Sequence, residues 1–112
     1  MSIFGPGHGA CPGCGMPIVV RTVLEALDGR VIAVNPTGCL EIISSQYGRN
    51  VWGVSYIHSL FENAAAVAAG IEAALRAMKR EKDGHVVVFA GDGATYDIGV
   101  GVISGVMDRN HN

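Results

Sequence analysis

Two sets of residues in this chain could do chemistry. The first is Gly91-Asp92-Gly93, which follows the apolar run of residues 86–90 and precedes a helix-compatible stretch. Helix N-termini favour anions, because their N–H groups are free and the helix dipole is positive there. A carboxylate at such a place repels a diphosphate unless a cation intervenes. Mg²⁺ resolves the conflict by joining one or two protein oxygens to phosphate oxygens. Asp92 is therefore a candidate Mg²⁺ ligand, and Gly91 and Gly93 let the backbone come close to a ligand. The same tripeptide also reads as an ordinary strand-to-helix turn with Asp92 as N-cap. It is not the dinucleotide fingerprint, whose third glycine would fall at Tyr96.

The second set is thiol chemistry. Cys11-Pro12-Gly13-Cys14 places two thiolates within reach of one soft metal centre, and Cys39 lies in the turn Asn35-Pro36-Thr37-Gly38-Cys39. Three cysteines make an incomplete tetrahedral set. His8 could complete a Cys₃His zinc site. A thioredoxin-like redox pair is less apt, since that motif follows a strand and only a Gly-rich loop precedes Cys11. Inert buried thiols are the plain alternative. An odd cysteine count with a CxxC argues against a disulfide framework and for a reducing compartment.

The elements that must position these residues are legible in outline. The chain has 112 residues, 49% hydrophobic and 16% charged, with net charge -2, so it reads as globular. No basic stripe points to nucleic acid, and no polybasic segment to a lipid surface. Neither a leader nor a run approaching the roughly 20 apolar residues of a membrane span is visible, and a cytoplasmic location is expected. Pro17 suits a first helical turn, and a helix through Leu27 should end at Gly29. Residues 31–34 (VIAV) and 86–90 (VVVFA) read as buried parallel strands, and 51–57 as a further strand. A short helix is expected in 40–47, a long one over 61–80, and another from about Thr95 to Met107. This alternation predicts an α/β fold with a parallel sheet flanked by helices. His58, Glu62 and Asn63 fall where a strand passes into the long helix, although Glu62 and Asn63 also suit ordinary first-turn roles. His85 and His111 read as loop or strand-edge residues. The closing DRNHN resembles the turn that precedes a next strand, so the chain is expected to be part of a larger unit.

Taken in order, GHGACPGCGMPI, NPTGCLE, IHSLFENAAAVAAGIEAAL and VVVFAGDGATYDIGVGVISGVMDR resemble the β subunit of 2-oxoacid:ferredoxin oxidoreductases, most closely the pyruvate type. These stretches cover nearly the whole chain. The resemblance implies a thiamine diphosphate-binding fold of the pyrimidine/diphosphate type. Residues 1–112 would be the N-terminal part of one thiamine diphosphate- and [4Fe–4S]-binding domain, with its C-terminal remainder absent. It further implies that Cys11, Cys14 and Cys39 are three of four cluster ligands and that Asp92 binds Mg²⁺. Gly91, Gly93 and Ala94 would lie along the diphosphate. Thr37, Gly38, Cys39 and Leu40 would border the cofactor near its thiazolium, and Glu62 and Asn63 would belong to a cofactor-side segment.

The implied activity is oxidative decarboxylation of a 2-oxoacid, pyruvate first, to acyl-coenzyme A and CO₂, with electrons passing through a proximal [4Fe–4S] cluster to ferredoxin. The implied partners are α, γ and δ subunits, with the aminopyrimidine glutamate on α rather than at Glu41 or Glu62. Met16 stands where single-chain relatives often carry Glu, in keeping with the separate-subunit type. The Asn that usually completes the Mg²⁺ site and the fourth cluster Cys have no counterpart here. The isolated chain is therefore expected to be inactive. Two other readings stay open at this point: a non-enzymatic zinc module on Cys11, Cys14, Cys39 and His8, and a thiamine enzyme with no cluster.

Overall fold

The computed structural model describes residues 3–111, and its centre is a parallel sheet. Strand β1 (Val31–Pro36) is the apolar run expected at 31–34, extended through Asn35 and Pro36. It lies between β2 (Ser55–Ser59) and β3 (His85–Val88), in the order β2-β1-β3. Ile32 aligns with Ser55 and Pro36 with Ser59 on one side, and Val31 aligns with His85 and Val34 with Val88 on the other. A central strand covered on both faces is largely apolar, and β1, whose one polar residue is Asn35, is buried at every position except Ile32, which is half-buried.

Side chains alternate between the faces of a strand. Val31 and Ala33 join Val20 and Leu24 of helix α1 (Met16–Ala26), together with Phe4, Val51 and Trp52, in the main core. The opposite face is covered by helix α3 (Ala64–Ala77), which packs on β1, β3 and helix α4 (Val100–Asp108). The α3 alanines allow that close approach: Ala65, Ala68 and Ala69 face Val86 and Val88. Helix α2 (Cys39–Ser44) joins β1 to the segment before β2. The α/β class and the parallel sheet flanked by helices are thus as expected. No helix among the described residues is long and apolar enough to cross a membrane.

Several boundaries differ from the sequence pattern, each for a local reason. The strand expected to be buried over 86–90 is β3, which ends at Val88 and is exposed at His85 and half-buried beyond it, because it pairs on one side only at the edge of the sheet. The strand expected at 51–57 is split. Val51 and Trp52 pair antiparallel with the N-terminal segment, through Gly5 N–H to Val51 O (2.7 Å), Gly53 N–H to Ile3 O (2.9 Å) and the bridge Phe4–Trp52. Only Ser55–Ser59 enters the sheet. The long helix is shorter than 61–80, because residues 61–63 form a turn that Asn63 closes. The last helix is also interrupted: Gly93–Asp97 is a π turn, and α4 begins only at Val100. A side chain at Gly99 would collide with the Ala94 carbonyl five residues back, so the wide turn depends on the glycine.

Candidate functional site

The connection after β1 leads toward β2, whereas the chain leaving β3 starts on the other side of β1. Crevices at such a switch point, beyond the carboxyl ends of the strands, are where open α/β sheets bind ligands. A cavity of about 590 Å³ lies there, within the usual range for small-molecule sites. Its walls are the turn after β1 (Pro36–Leu40) and the turn after β3 (Phe89–Ala94). Met16, Val19 and Val20 of α1 and Phe61 close it, with Asn35 at the base.

The structure brings together most of the residues singled out by sequence. Thr37, Gly38, Cys39, Leu40, Gly91, Asp92, Gly93 and Ala94 all line this cavity. Glu62 and Asn63 do not, although Phe61 beside them does. The Asn63 Oδ1 is buried without a hydrogen-bond partner. Cys11 and Cys14 sit on one tight turn, closed by Cys14 N–H to Cys11 O (3.0 Å), and also lie outside the cavity lining. All three cysteines are free thiols. Among the described residues no group of three or more His, Cys, Asp or Glu side chains is gathered to hold a metal ion. The Cys₃His set with His8 is likewise not assembled, and His8 instead stacks on Phe4, ring centroids 6.1 Å apart, with its Nδ1 buried and unpartnered.

The described lining of the cavity carries one carboxylate and no side-chain cation. Asp92 is the one charged side chain among the described lining residues. It is exposed, starts the π turn in helical conformation and makes no side-chain capping bond, so the ordinary N-cap role is not realised. Thr95 Oγ1 donates to Gly91 O (2.7 Å), which fixes the turn from within and leaves the carboxylate unengaged. At Gly38 and Gly91 a Cβ would point into open space, whereas at Gly93 it would stand 2.8 Å from Phe61 Cζ. Bare backbone at these positions fits a diphosphate, which needs close approach to N–H groups.

The frame around the cavity is aromatic and hydrogen-bonded. Trp52 Nε1 donates to Ser44 Oγ (2.9 Å), and Ser44 Oγ donates to Leu40 O (2.5 Å), so α2 is pinned to the core. Tyr56 stacks on Trp52, and its hydroxyl stands 3.3 Å from the Asn35 amide. Burial raises the Tyr56 hydroxyl above its ordinary 10.0, with the Glu41 carboxylate adding to the rise and hydrogen bonds to Ser45 and Asn35 opposing it. The folded state therefore holds this proton more tightly than the unfolded chain. The stabilisation is complete below pH 10 and is lost as pH climbs through the raised value. Alkaline unfolding of the wild type, followed by circular dichroism beside phenolate absorbance, should show this loss, and Tyr56→Phe should remove it. An unchanged alkaline limb in that variant would contradict the assignment.

Sequence reasoning missed Asn35, Phe61, Phe89 and the three α1 residues as parts of the wall. A tertiary arrangement brings them there, and no local pattern marks them.

Comparison with known proteins agrees with this geometry. Residues 36–112 match the family described as thiamine pyrophosphate enzyme, C-terminal TPP binding domain. That stretch includes both turns that line the cavity. The chain is 51% identical over 109 residues to pyruvate synthase subunit PorB of Methanothermobacter thermautotrophicus, covering 97% of this chain and 38% of that protein. It is 42% identical over 116 residues to PorB of Thermotoga maritima, covering 94% and 35%. It is also 42% identical over 113 residues to ketoisovalerate oxidoreductase subunit VorB of Pyrococcus furiosus, covering 97% and 36%. The chain thus spans less than two fifths of the length of these relatives. With the matched residues forming both walls of the crevice, the chain belongs to the thiamine pyrophosphate enzymes, through their C-terminal TPP-binding domain.

Proposed function

We propose that the cavity between β1 and β3 holds thiamine diphosphate, with Mg²⁺ at Asp92, in a subunit of a 2-oxoacid:ferredoxin oxidoreductase. The observation that carries this reading is the meeting of two turns at the switch point. One offers bare backbone at Gly91 and Gly93 beside a carboxylate that does nothing else, and the other offers Gly38 and Cys39 across the gap. When bound, thiamine diphosphate supplies the carbanion chemistry that removes CO₂ from a 2-oxoacid. The chain's own part is to seat and shield. Gly91, Gly93 and Ala94 would lie along the diphosphate, Asp92 would supply an oxygen to the metal, and Thr37, Gly38 and Leu40 would border the thiazolium end. Val19, Val20, Phe61 and Phe89 keep water from it.

Pyruvate is the favoured substrate, because PorB relatives reach 51% identity. The equal 42% for one PorB and one VorB means that identity in this region does not itself select the acyl side chain. Cys11, Cys14 and Cys39 fit a [4Fe–4S] cluster by donor chemistry, as soft, unpaired thiols with one of them on the cavity wall. Their set is incomplete in this chain and is not gathered, so no step is assigned through it. Coenzyme A, ferredoxin and α, γ and δ subunits complete the reading. The test is to purify the subunit with its partners without oxygen, measure iron, sulfide, zinc and thiamine diphosphate, and follow pyruvate- and coenzyme A-dependent dye reduction. Bound thiamine diphosphate with iron and sulfide, and pyruvate-dependent turnover, is the expected result. Zinc without sulfide and no thiamine diphosphate would favour a zinc module on Cys11, Cys14, Cys39 and His8. Turnover that survives loss of all three cysteines would favour a cluster-free thiamine enzyme.

A further inference from the structure

The ladder between β1 and β3 stops one bond early, and a side chain continues it. In a parallel pair, each residue of one strand bonds to residues on either side of its partner. His85 N–H donates to Arg30 O (2.8 Å) and Phe89 N–H to Val34 O (2.9 Å). With Val34 opposite Val88, the next donor to Phe89 O should be the backbone N–H of residue 36. Residue 36 is Pro and has none.

Asn35 fills that gap. It is 1% exposed, and a buried carboxamide must find partners for both its donors and its oxygen. In one orientation its oxygen would face only carbonyls. In the other, its nitrogen donates to Phe89 O (2.9 Å) and Pro36 O (3.2 Å) and its oxygen accepts from Glu41 N–H (3.3 Å). That second orientation pairs every group, and the Tyr56 hydroxyl can then donate to the same oxygen. The Asn35 carbonyl also accepts from His58 Nδ1 (3.2 Å), which ties the residue to β2. One side chain therefore links the last residue before the Ala90–Ala94 turn to the first turn of α2, across the base of the cavity.

We propose that Asn35 is a positioning residue: its carboxamide replaces the ladder bond that Pro36 cannot make and sets the separation of the two turns that would hold the cofactor. This rests on the reading of the cavity as the thiamine diphosphate site.

The test uses the purified multi-subunit enzyme carrying Asn35→Leu and, separately, Asn35→Asp. Leu fills the volume but makes no hydrogen bond. Asp keeps the acceptor for Glu41 N–H and the shape but, when ionised, loses the donors to Phe89 and Pro36. Both variants should raise the apparent KM for thiamine diphosphate about tenfold or more while kcat at saturating cofactor stays within about twofold. A packing role would show the opposite pattern, with Leu restoring wild-type cofactor affinity. If Asn35→Leu does not assemble, Asn35→Asp assayed over a pH series decides the matter, because the buried carboxyl donates to Phe89 O only while protonated: a KM that does not rise relative to wild type as pH increases overturns the proposal. Failure of the cofactor reading is separately visible, because the unmodified enzyme would then bind no thiamine diphosphate.

Discussion

Replacing Asp92 with Asn or Ala is expected to weaken thiamine diphosphate binding in the presence of Mg²⁺ by on the order of 2–4 kcal/mol, roughly 30- to 1,000-fold. Among the described residues the cavity has no other charged side chain, so no second carboxylate there could keep the metal beside the diphosphate. Removing one ligand also leaves two phosphate charges against an apolar wall. The protein itself should barely notice. Asp92 is exposed and makes no capping bond, so its loss should change thermal stability in the absence of cofactor by no more than about 0.5 kcal/mol. Equilibrium dialysis of cofactor across a Mg²⁺ series, beside thermal melts without cofactor, separates the two effects. A variant that melts about 1 kcal/mol lower yet binds cofactor normally would return Asp92 to a capping role.

How much of this was legible in the sequence differs from residue to residue. The apolar runs at 31–34 and 86–90 read as buried strands, and Gly91-Asp92-Gly93 after the second read as a candidate site. The first run is largely buried in β1, whereas the second forms β3 only as far as Val88 and is half-buried, and the three residues after it line the cavity. The wide turn at Gly93–Asp97 was not legible, because it depends on the missing side chain of Gly99, where a Cβ would meet a carbonyl five residues away. Nor was the splitting of 51–57, since Val51 and Trp52 pair with residues nearly fifty positions earlier. Asn35 was visible only as part of a turn. Its role depends on Phe89 being opposite and on Pro36 lacking an N–H, a conjunction that needs the register as well as the composition. For the cysteines, one tight turn carries both Cys11 and Cys14. Their relation to Cys39 depends on tertiary placement that no spacing rule supplies.

Trp52→Ala should have the largest effect on stability, about 3–5 kcal/mol. The indole is 9% exposed and is surrounded by other rings: Phe4 edge-on at 5.1 Å, Tyr56 stacked at 4.8 Å and Phe89 tilted at 5.5 Å. Its N–H is bonded to Ser44. Each partner belongs to a different segment, namely the N-terminal segment, β2, the turn after β3 and α2. Truncation therefore opens a cavity where four elements meet, and small neighbours such as Ala33 cannot collapse into it. Against a total stability of roughly 5–15 kcal/mol for a domain of this kind, that is a large share. Trp52→Phe isolates the polar part: it keeps most of the packing and loses the bond to Ser44, at about 1 kcal/mol. Denaturant melts of both variants would check the ranking, and a loss below about 1 kcal/mol for the alanine variant would contradict the packing argument. Cofactor affinity should fall in the same order, because Phe89 and the Leu40–Ser44 helix both border the cavity and both lean on this ring.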